Sequence, residues 1–328
     1  MLLARTRSTT SAVFVKMFKK IEQARLLMVS LIKKISPPIY YYTKNAVHIY
    51  SIHSEMIKEL RSPSIVLVYS MGKVGSSSVF ESLKATIDQP IYQIHSLNIE
   101  DTKKFWKKIK LHQSYFNRDC IDREKIVSRF LSYRFSRILG QKNLKIISIV
   151  RDPVSRNISH FFENIDMYFR DFKKRLNLED IEMKDLVNVF WEREYVIEKH
   201  IDWFDREFKS VLGLDIFSTE VSRDKGYTII RDIDRKLDVL LLKMESFDRC
   251  LENALAEFLG VEQVIIKKVN IAQSKYYFSI YNNFKNHVNF TQEYLEEIYT
   301  QKLVTHLYTK GEIDNFKSKW LHQESMNS

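Results

Sequence analysis

The chain is poor in cysteine and glycine, and it contains no long hydrophobic run. Its 328 residues include two cysteines, Cys120 and Cys250, whose separation matches no metal-binding spacing. So few thiols fit the reducing cytosol. No stretch reaches the roughly 18 apolar residues that a membrane-spanning helix requires. We therefore expect a cytoplasmic protein without a transmembrane segment.

The sequence also lacks internal repeats, low-complexity linkers and a clear domain boundary. Apolar residues make up 45% of the chain, enough for a substantial core. Positive charge is in excess, with a formal net charge of +11. This excess suits an anionic ligand, an acidic polymer or a membrane surface, and it does not choose among them. No nucleic-acid-binding motif accompanies it, so we expect no nucleic-acid partner.

The first 35 residues are basic, with lysine and arginine interleaved among apolar residues. A secretory signal fits poorly, because basic residues between positions 16 and 25 interrupt any apolar core. One interpretation is an amphipathic helix that makes peripheral contact with the inner face of an anionic membrane. The other is a solvated helix packed on the domain, or a frayed leader. We expect a basic helical leader over 1–62 and one domain over 63–328.

A strand, a tight loop and a helix start follow one another in residues 65–83. The apolar, β-branched run 65–69 predicts a buried strand. The next residues supply glycines that admit a phosphate close to the backbone, a lysine charge and hydroxyl donors. A helix N-terminus adds unpaired N–H groups and partial positive charge. The predicted anion-binding residues are Gly72, Lys73, Gly75, Ser76, Ser77 and Ser78.

This loop is not a Walker A motif. That motif ends in Gly-Lys-Ser/Thr, whereas Lys73 precedes the second glycine, Gly75. The loop resembles instead the 5′-phosphosulfate loop of sulfotransferases, with its Lys-x-Gly-Ser/Thr-Ser/Thr core. An ordinary β–α turn rich in serine and glycine stays open as an alternative.

A second candidate element follows the apolar strand predicted over 144–150. Arg151 ends that strand, at the edge where open α/β sheets bind ligands, and Pro153 suits the first turn of a helix. An arginine fork with a helical hydroxyl, that of Ser159, suits a terminal phosphate. The alternative is a surface ion pair between Arg151 and Asp152 at the helix start.

Five residues between positions 151 and 159 match the 3′-phosphate-binding element of sulfotransferases position by position. The chain thus resembles, over roughly residues 65–259, sulfotransferases that use 3′-phosphoadenylyl sulfate (PAPS), of the carbohydrate type. It resembles bacterial capsular polysaccharide synthesis proteins further, at 226–230 and 270–277. The Lys-Pro-x-His-x-His motif of the small-molecule enzymes is missing, so transfer to phenols or steroids is not expected. The matching residues are Arg151, Asp152, Pro153, Arg156 and Ser159.

The resemblance implies an α/β fold, with a central, mainly parallel sheet flanked by helices, of the P-loop nucleotide-kinase-like sulfotransferase type. It implies PAPS as donor, no metal, and a saccharide or polysaccharide hydroxyl as acceptor in capsule or cell-surface glycan synthesis. Lys73 is implied to stabilise the leaving oxygen. The residues implied to hold the donor are Lys73, Gly75, Ser76, Ser77, Ser78, Arg151, Ser159 and Lys275.

His95 is the predicted general base. It ends the short strand predicted over 91–94, on the same sheet edge as the loop, and histidine titrates near neutrality. A structural hydrogen bond is the alternative role, and Glu81 is a second candidate base. Two other functions stay open: a catalytically inactive nucleotide- or polyanion-binding protein of capsule assembly, and a small-molecule kinase, which the missing Gly-Lys-Ser/Thr disfavours.

Overall fold

A computed structural model describes residues 37–111, 121–169, 171–177, 180–197, 202–269 and 272–321, together with the single positions 23, 27 and 30. Most of the basic segment 1–35, on which the membrane prediction rests, lies outside these ranges. Among the described helices, none combines the length and the apolar character needed to cross a membrane.

Contacts divide the chain into two compact units. The first comprises Met1–Lys58 and Lys103–Ile126, and the second Glu59–Thr102 and Val127–Ser328. Within the first, the Arg123 guanidinium donates to both oxygens of Glu55, at 2.8 and 2.6 Å. All of the predicted site residues belong to the second unit, while the predicted boundary after residue 62 stays a prediction.

The second unit contains a five-stranded sheet. Its strands are β1 (Ser64–Tyr69), β2 (Ile91–Ile94), β3 (Asn143–Val150), β4 (Tyr227–Asp232) and β5 (Leu237–Lys243). Their order is β2-β1-β3-β5-β4, with β4 antiparallel to β5 and every other pair parallel. The predicted α/β architecture with a mainly parallel sheet is confirmed.

The central strands of the sheet are buried because their residues are apolar. The interior residues of β1, β3 and β5 are almost all buried aliphatics, as expected for parallel strands covered on both faces. The α-helices are α1 (Pro37–Glu59), α2 (Ser76–Thr86), α3 (Ile99–Leu111), α4 (Arg123–Ser132), α5 (Phe135–Ile138), α6 (Pro153–Glu163), α7 (Ile165–Tyr168), α8 (Phe172–Asn177), α9 (Met183–Ile197), α10 (Phe247–Leu259), α11 (Phe278–His287), α12 (Gln292–Tyr299), α13 (Lys302–Leu307) and α14 (Lys310–Leu321).

Two predicted elements differ in the structure. The short β-like run 215–219 predicts a strand, but in the structure it is a turn of 3₁₀-helix at Ile216–Ser218, because the Asp215 carboxylate accepts from Phe217 N–H at 3.0 Å and caps it. The spacing of apolar and aromatic residues over 185–211 predicts one long α-helix, whereas the structure has α9 over the first part and a π-helix at Phe204–Leu212. The wider π-helical turn over Phe204–Leu212 is not revealed by apolar periodicity, which indicates only a helix.

The parallel pairing sets the location of the site. Tyr69 at the end of β1 pairs with Ile94 at the end of β2, and Val150 at the end of β3 pairs with Lys243. Because the carboxyl ends of parallel strands share one edge, the loop after β1, His95 after β2 and Arg151 after β3 leave the sheet on the same side.

Candidate functional site

The loop after β1 has the backbone conformation of an anion-binding nest. Lys73 and Gly75 both lie in the left-handed region, with φ of 69° and 83°. A Cβ on Gly75 would lie 3.0 Å from a ring carbon of Phe247, so only glycine fits. In the described part of the chain, the N–H groups of Gly75, Ser76 and Ser77 have no acceptor. Such converging N–H groups at a helix start attract an anion.

The predicted serine ligands have different surroundings. The Ser76 hydroxyl accepts from Gln93 Nε2 at 3.0 Å. The Ser78 hydroxyl both donates to the carbonyl of Val269 and accepts from its N–H, at 3.1 Å each. The Ser78 N–H donates to the carbonyl of Gly75 at 3.2 Å. The geometry therefore favours Gly75, Ser76 and Ser77 over Ser78 as phosphate ligands.

Arg151 connects the element after β3 to the loop after β1. Its Nη1 donates to the carbonyl of Lys73 at 2.9 Å. The surface ion pair between Arg151 and Asp152 does not occur among the described residues, because the Asp152 carboxylate is buried and turned to other donors. It caps α6 by accepting from the N–H groups of Val154 and Ser155, at 3.2 and 3.3 Å, as expected for an N-cap aspartate.

Positive charge gathers along α6. Burial, Arg156 and Lys73 lower the pKa of His160 to about 4. Burial and the positive charges of Lys319 and Arg151 lower the pKa of Lys285. Each shift reflects the cost of placing one more cation there. Sequence reasoning did not identify Lys285 or Lys319, because they lie far along the chain and carry no motif.

Lys73 and Lys275 meet at a carboxylate that sequence reasoning missed. Glu163 ends α6, and its Oε2 lies 3.1 Å from Lys73 Nζ and 3.4 Å from Lys275 Nζ. The signal was present: Ser155, Ser159 and Glu163 follow a four-residue spacing that keeps side chains on one side of a helix. Ser159 is half-buried on α6, one turn before Glu163.

The predicted base is held by its backbone neighbours. His95 Nδ1 lies 2.6 Å from the carbonyl oxygen of Ser70. A carbonyl only accepts, so Nδ1 carries a proton in this pair, and Nε2 is the basic nitrogen of the neutral ring. The Trp203 indole N–H donates to the His95 carbonyl at 2.9 Å. Glu81, the other candidate base, is about two-fifths exposed and pairs with Lys84 at 3.7 Å.

A buried carboxylate fixes the segment after His95. Glu207, 1% exposed on the π-helix, accepts from the N–H groups of Leu97 and Asn98 at 2.8 Å and from the Ser96 hydroxyl at 2.7 Å. It also accepts from the Tyr69 hydroxyl at the end of β1. Burial and Glu207 raise the pKa of Tyr69 well above its usual value. Glu207 thereby anchors the segment that carries the predicted base.

Within the described ranges, no group of three histidine, cysteine, aspartate or glutamate side chains is arranged to hold a metal ion. The cations and backbone N–H groups described above lie at the carboxyl edge of an α/β sheet, an arrangement suited to an anionic group.

A protein-family model described as "Putative capsular polysaccharide synthesis protein" matches residues 175–309. The chain is similar to that family over this part, which contains β4, β5 and Lys275 and leaves out the loop after β1 and Arg151. No curated protein and no solved structure gave a significant match.

Proposed function

We propose that the protein is a PAPS-dependent sulfotransferase of the P-loop nucleotide-kinase-like fold that sulfates a hydroxyl of a saccharide or polysaccharide in capsule or cell-surface glycan synthesis. The observation that carries the proposal is the hydrogen bond from Arg151 to the Lys73 carbonyl. It joins two elements, one suited to a 5′-phosphate and the other to a 3′-phosphate. A nucleotide phosphorylated at both positions is the ligand class that needs both at once.

The chain's residues have distinct tasks in this proposal. The N–H groups of Gly75 to Ser77 hold the 5′-phosphate, and Arg151, Ser159 and Lys275 hold the 3′-phosphate. Lys73 stabilises the negative charge that develops on the oxygen bridging sulfur and phosphorus. That sulfur–oxygen bond breaks as the acceptor oxygen bonds to sulfur, and the products are a sulfate ester and adenosine 3′,5′-bisphosphate.

The acceptor hydroxyl loses its proton to His95. With Nδ1 bonded to the Ser70 carbonyl, Nε2 of the neutral ring is the nitrogen that takes the proton. Trp203 holds the His95 carbonyl and Glu207 holds the backbone just after His95, which limits the movement of His95. The similarity to the capsular family supports a saccharide acceptor.

Nucleotide binding provides the first test. Arg151→Ala should weaken adenosine 3′,5′-bisphosphate by about 1.5–3 kcal/mol more than adenosine 5′-monophosphate, because only the former carries a 3′-phosphate. The monophosphate reports any loosening of the loop, which loses its contact with Arg151. The matched control is Arg231→Ala. It removes an exposed guanidinium of β4 that pairs with Asp238 of β5. Equal weakening of both nucleotides by Arg151→Ala would show that Arg151 does not read the 3′ group.

Transfer itself provides the second test. Labelled PAPS on a glycan array should yield a labelled saccharide, and the Lys73→Ala protein should yield much less of it. Binding of bisphosphate without transfer to any acceptor would instead support a nucleotide-binding protein without catalytic activity. Transfer of phosphate from ATP to an acceptor in the presence of magnesium would instead support the small-molecule kinase.

A further inference from the structure

The carboxylate of Glu163 brings together the two lysines predicted to bind the donor. One of its oxygens, Oε2, lies 3.1 Å from Lys73 Nζ and 3.4 Å from Lys275 Nζ. The Tyr277 hydroxyl donates to the same oxygen at 3.0 Å. A single oxygen with two ammonium groups and a hydroxyl around it has the surroundings of an oxygen of a bound phosphate or sulfate.

The electrostatics agree with the geometry. Burial by itself would raise the pKa of Glu163, yet Lys73, Lys275 and the Tyr277 hydroxyl together hold it below its usual value. The carboxylate is therefore a full negative charge at neutral pH. The same anion raises the pKa of Tyr277, after the larger effect of burial.

The partners of Glu163 lie on separate elements. Lys73 belongs to the loop after β1, whereas Lys275 and Tyr277 lie further along the chain, after the segment 264–269. That segment is fixed independently along α2: the N–H groups of residues 265, 267 and 269 donate to the hydroxyls of Thr86, Ser82 and Ser78, at 3.0, 2.8 and 3.1 Å.

The spacing explains this docking. Two extended residues span about 6.6 Å and four helical residues about 6 Å, so alternate N–H groups meet hydroxyls one turn apart. Lys275 and Tyr277 have a further anchor that does not depend on Glu163, because the Tyr276 hydroxyl between them donates to Asp166 at 3.0 Å and the Tyr277 ring packs against Phe162. The contact between Glu163 and Lys73 can break without releasing them.

We propose that Glu163 is the resident anion of this site: in the ligand-free protein its carboxylate neutralises Lys73, and an anionic group of the ligand replaces it there while Glu163 keeps its hydrogen bond from the Tyr277 hydroxyl. The ligand class is a phosphate or sulfate group, free or on a nucleotide. This inference rests on the proposed function only in that the loop binds such an anion. Glu163 acts by controlling Lys73 and is a positioning residue.

The test compares Glu163→Gln with wild-type protein in titration calorimetry, with inorganic sulfate and adenosine 3′,5′-bisphosphate as separate ligands. Without its competitor, Lys73 should bind both roughly two- to tenfold tighter, the effect of one partly exposed ion pair. The matched control is Glu257→Gln. Glu257 also pairs with a lysine and a tyrosine, Lys225 at 3.1 Å and Tyr227 at 2.5 Å, on β4 and its preceding loop. The control should leave both affinities unchanged.

Each outcome decides a different question. Tighter binding of both ligands supports the resident anion. Tighter sulfate with no bisphosphate binding in either protein supports it and overturns the nucleotide donor. Unchanged sulfate binding overturns it, because Glu163 would then not compete for Lys73. Weaker sulfate binding overturns it as well, because Glu163 would then orient Lys73 for the ligand. Should Glu163→Gln fail to fold, Glu163→Asp replaces it in the test. This change draws the carboxylate back by one methylene, and the expected increase in affinity is smaller.

Discussion

Replacement of Asp152 should destabilise the protein more than an ordinary surface aspartate would. The side chain is 1% exposed and caps α6 directly after Arg151. Its oxygens also accept from the Tyr299 hydroxyl at 2.6 Å, the Trp320 indole N–H at 3.1 Å and the Ser155 hydroxyl at 2.5 Å. One carboxylate thus connects the arginine element to α12 and α14.

The magnitude follows from these contacts. Loss of an N-cap costs about 1 kcal/mol. Asp152→Ala also leaves the buried Tyr299 hydroxyl and Trp320 N–H without their acceptor, at about 1–3 kcal/mol each. The free energy of unfolding should therefore fall by about 3–7 kcal/mol. That is a large part of the about 5–15 kcal/mol of a typical protein, so Asp152→Asn, which keeps one acceptor oxygen, is the safer variant.

The assay is urea denaturation followed by circular dichroism. Tyr299→Phe alone should cost about 1.5–3 kcal/mol, the value of a hydrogen bond to a charged group. In the Asp152→Asn background the same change should cost clearly less, because the charged acceptor is already gone. Tyr227→Phe is the matched control, since Tyr227 donates to the exposed carboxylate of Glu257 at 2.5 Å and should cost under about 1 kcal/mol.

The reasoning is refuted if Asp152→Asn lowers the free energy of unfolding by less than about 0.5 kcal/mol, the usual effect of a surface substitution. It is refuted equally if Tyr299→Phe costs the same in both backgrounds, because the hydroxyl would then not depend on the Asp152 charge.

Two further predictions concern activity and pH. His95→Ala should lower turnover by roughly 10²–10⁴, measured kinetically, and leave the calorimetric affinity for bisphosphate unchanged. Lys73→Ala should lower both turnover and affinity. A His95→Ala protein with more than about a tenth of wild-type turnover excludes His95 as the base. Because the pKa of His160 is lowered to about 4 in the folded protein, the unfolded chain takes up a proton first as pH falls below about 6.5. Relative to His160→Gln, wild-type protein should lose about 2 kcal/mol in urea unfolding between pH 7 and 5, and parallel pH profiles would contradict the shift.

The sequence alone determined the elements whose signal is local. Apolar, β-branched runs predicted β1 and β3, and the glycine-and-serine loop and Arg151 could be placed directly after them. A strand end and the start of the next helix lie a few residues apart, so their chemistry is readable without the fold. The run 215–219 shows the limit, because the Asp215 side chain converts an apparent strand into a helical turn.

Tertiary structure decided which side chains meet. Tyr299 reaches Asp152 from 147 residues away, and Val269 engages the Ser78 hydroxyl from 191 residues away. Neither partner carries a motif, because a hydrogen bond needs only a donor and an acceptor at the right distance. The position of Glu163 between Lys73 and Lys275 has the same origin: helical spacing puts it on the side of α6 that carries Ser159, and only the packing of the loop and of Lys275 against α6 makes it the common anion of the two lysines.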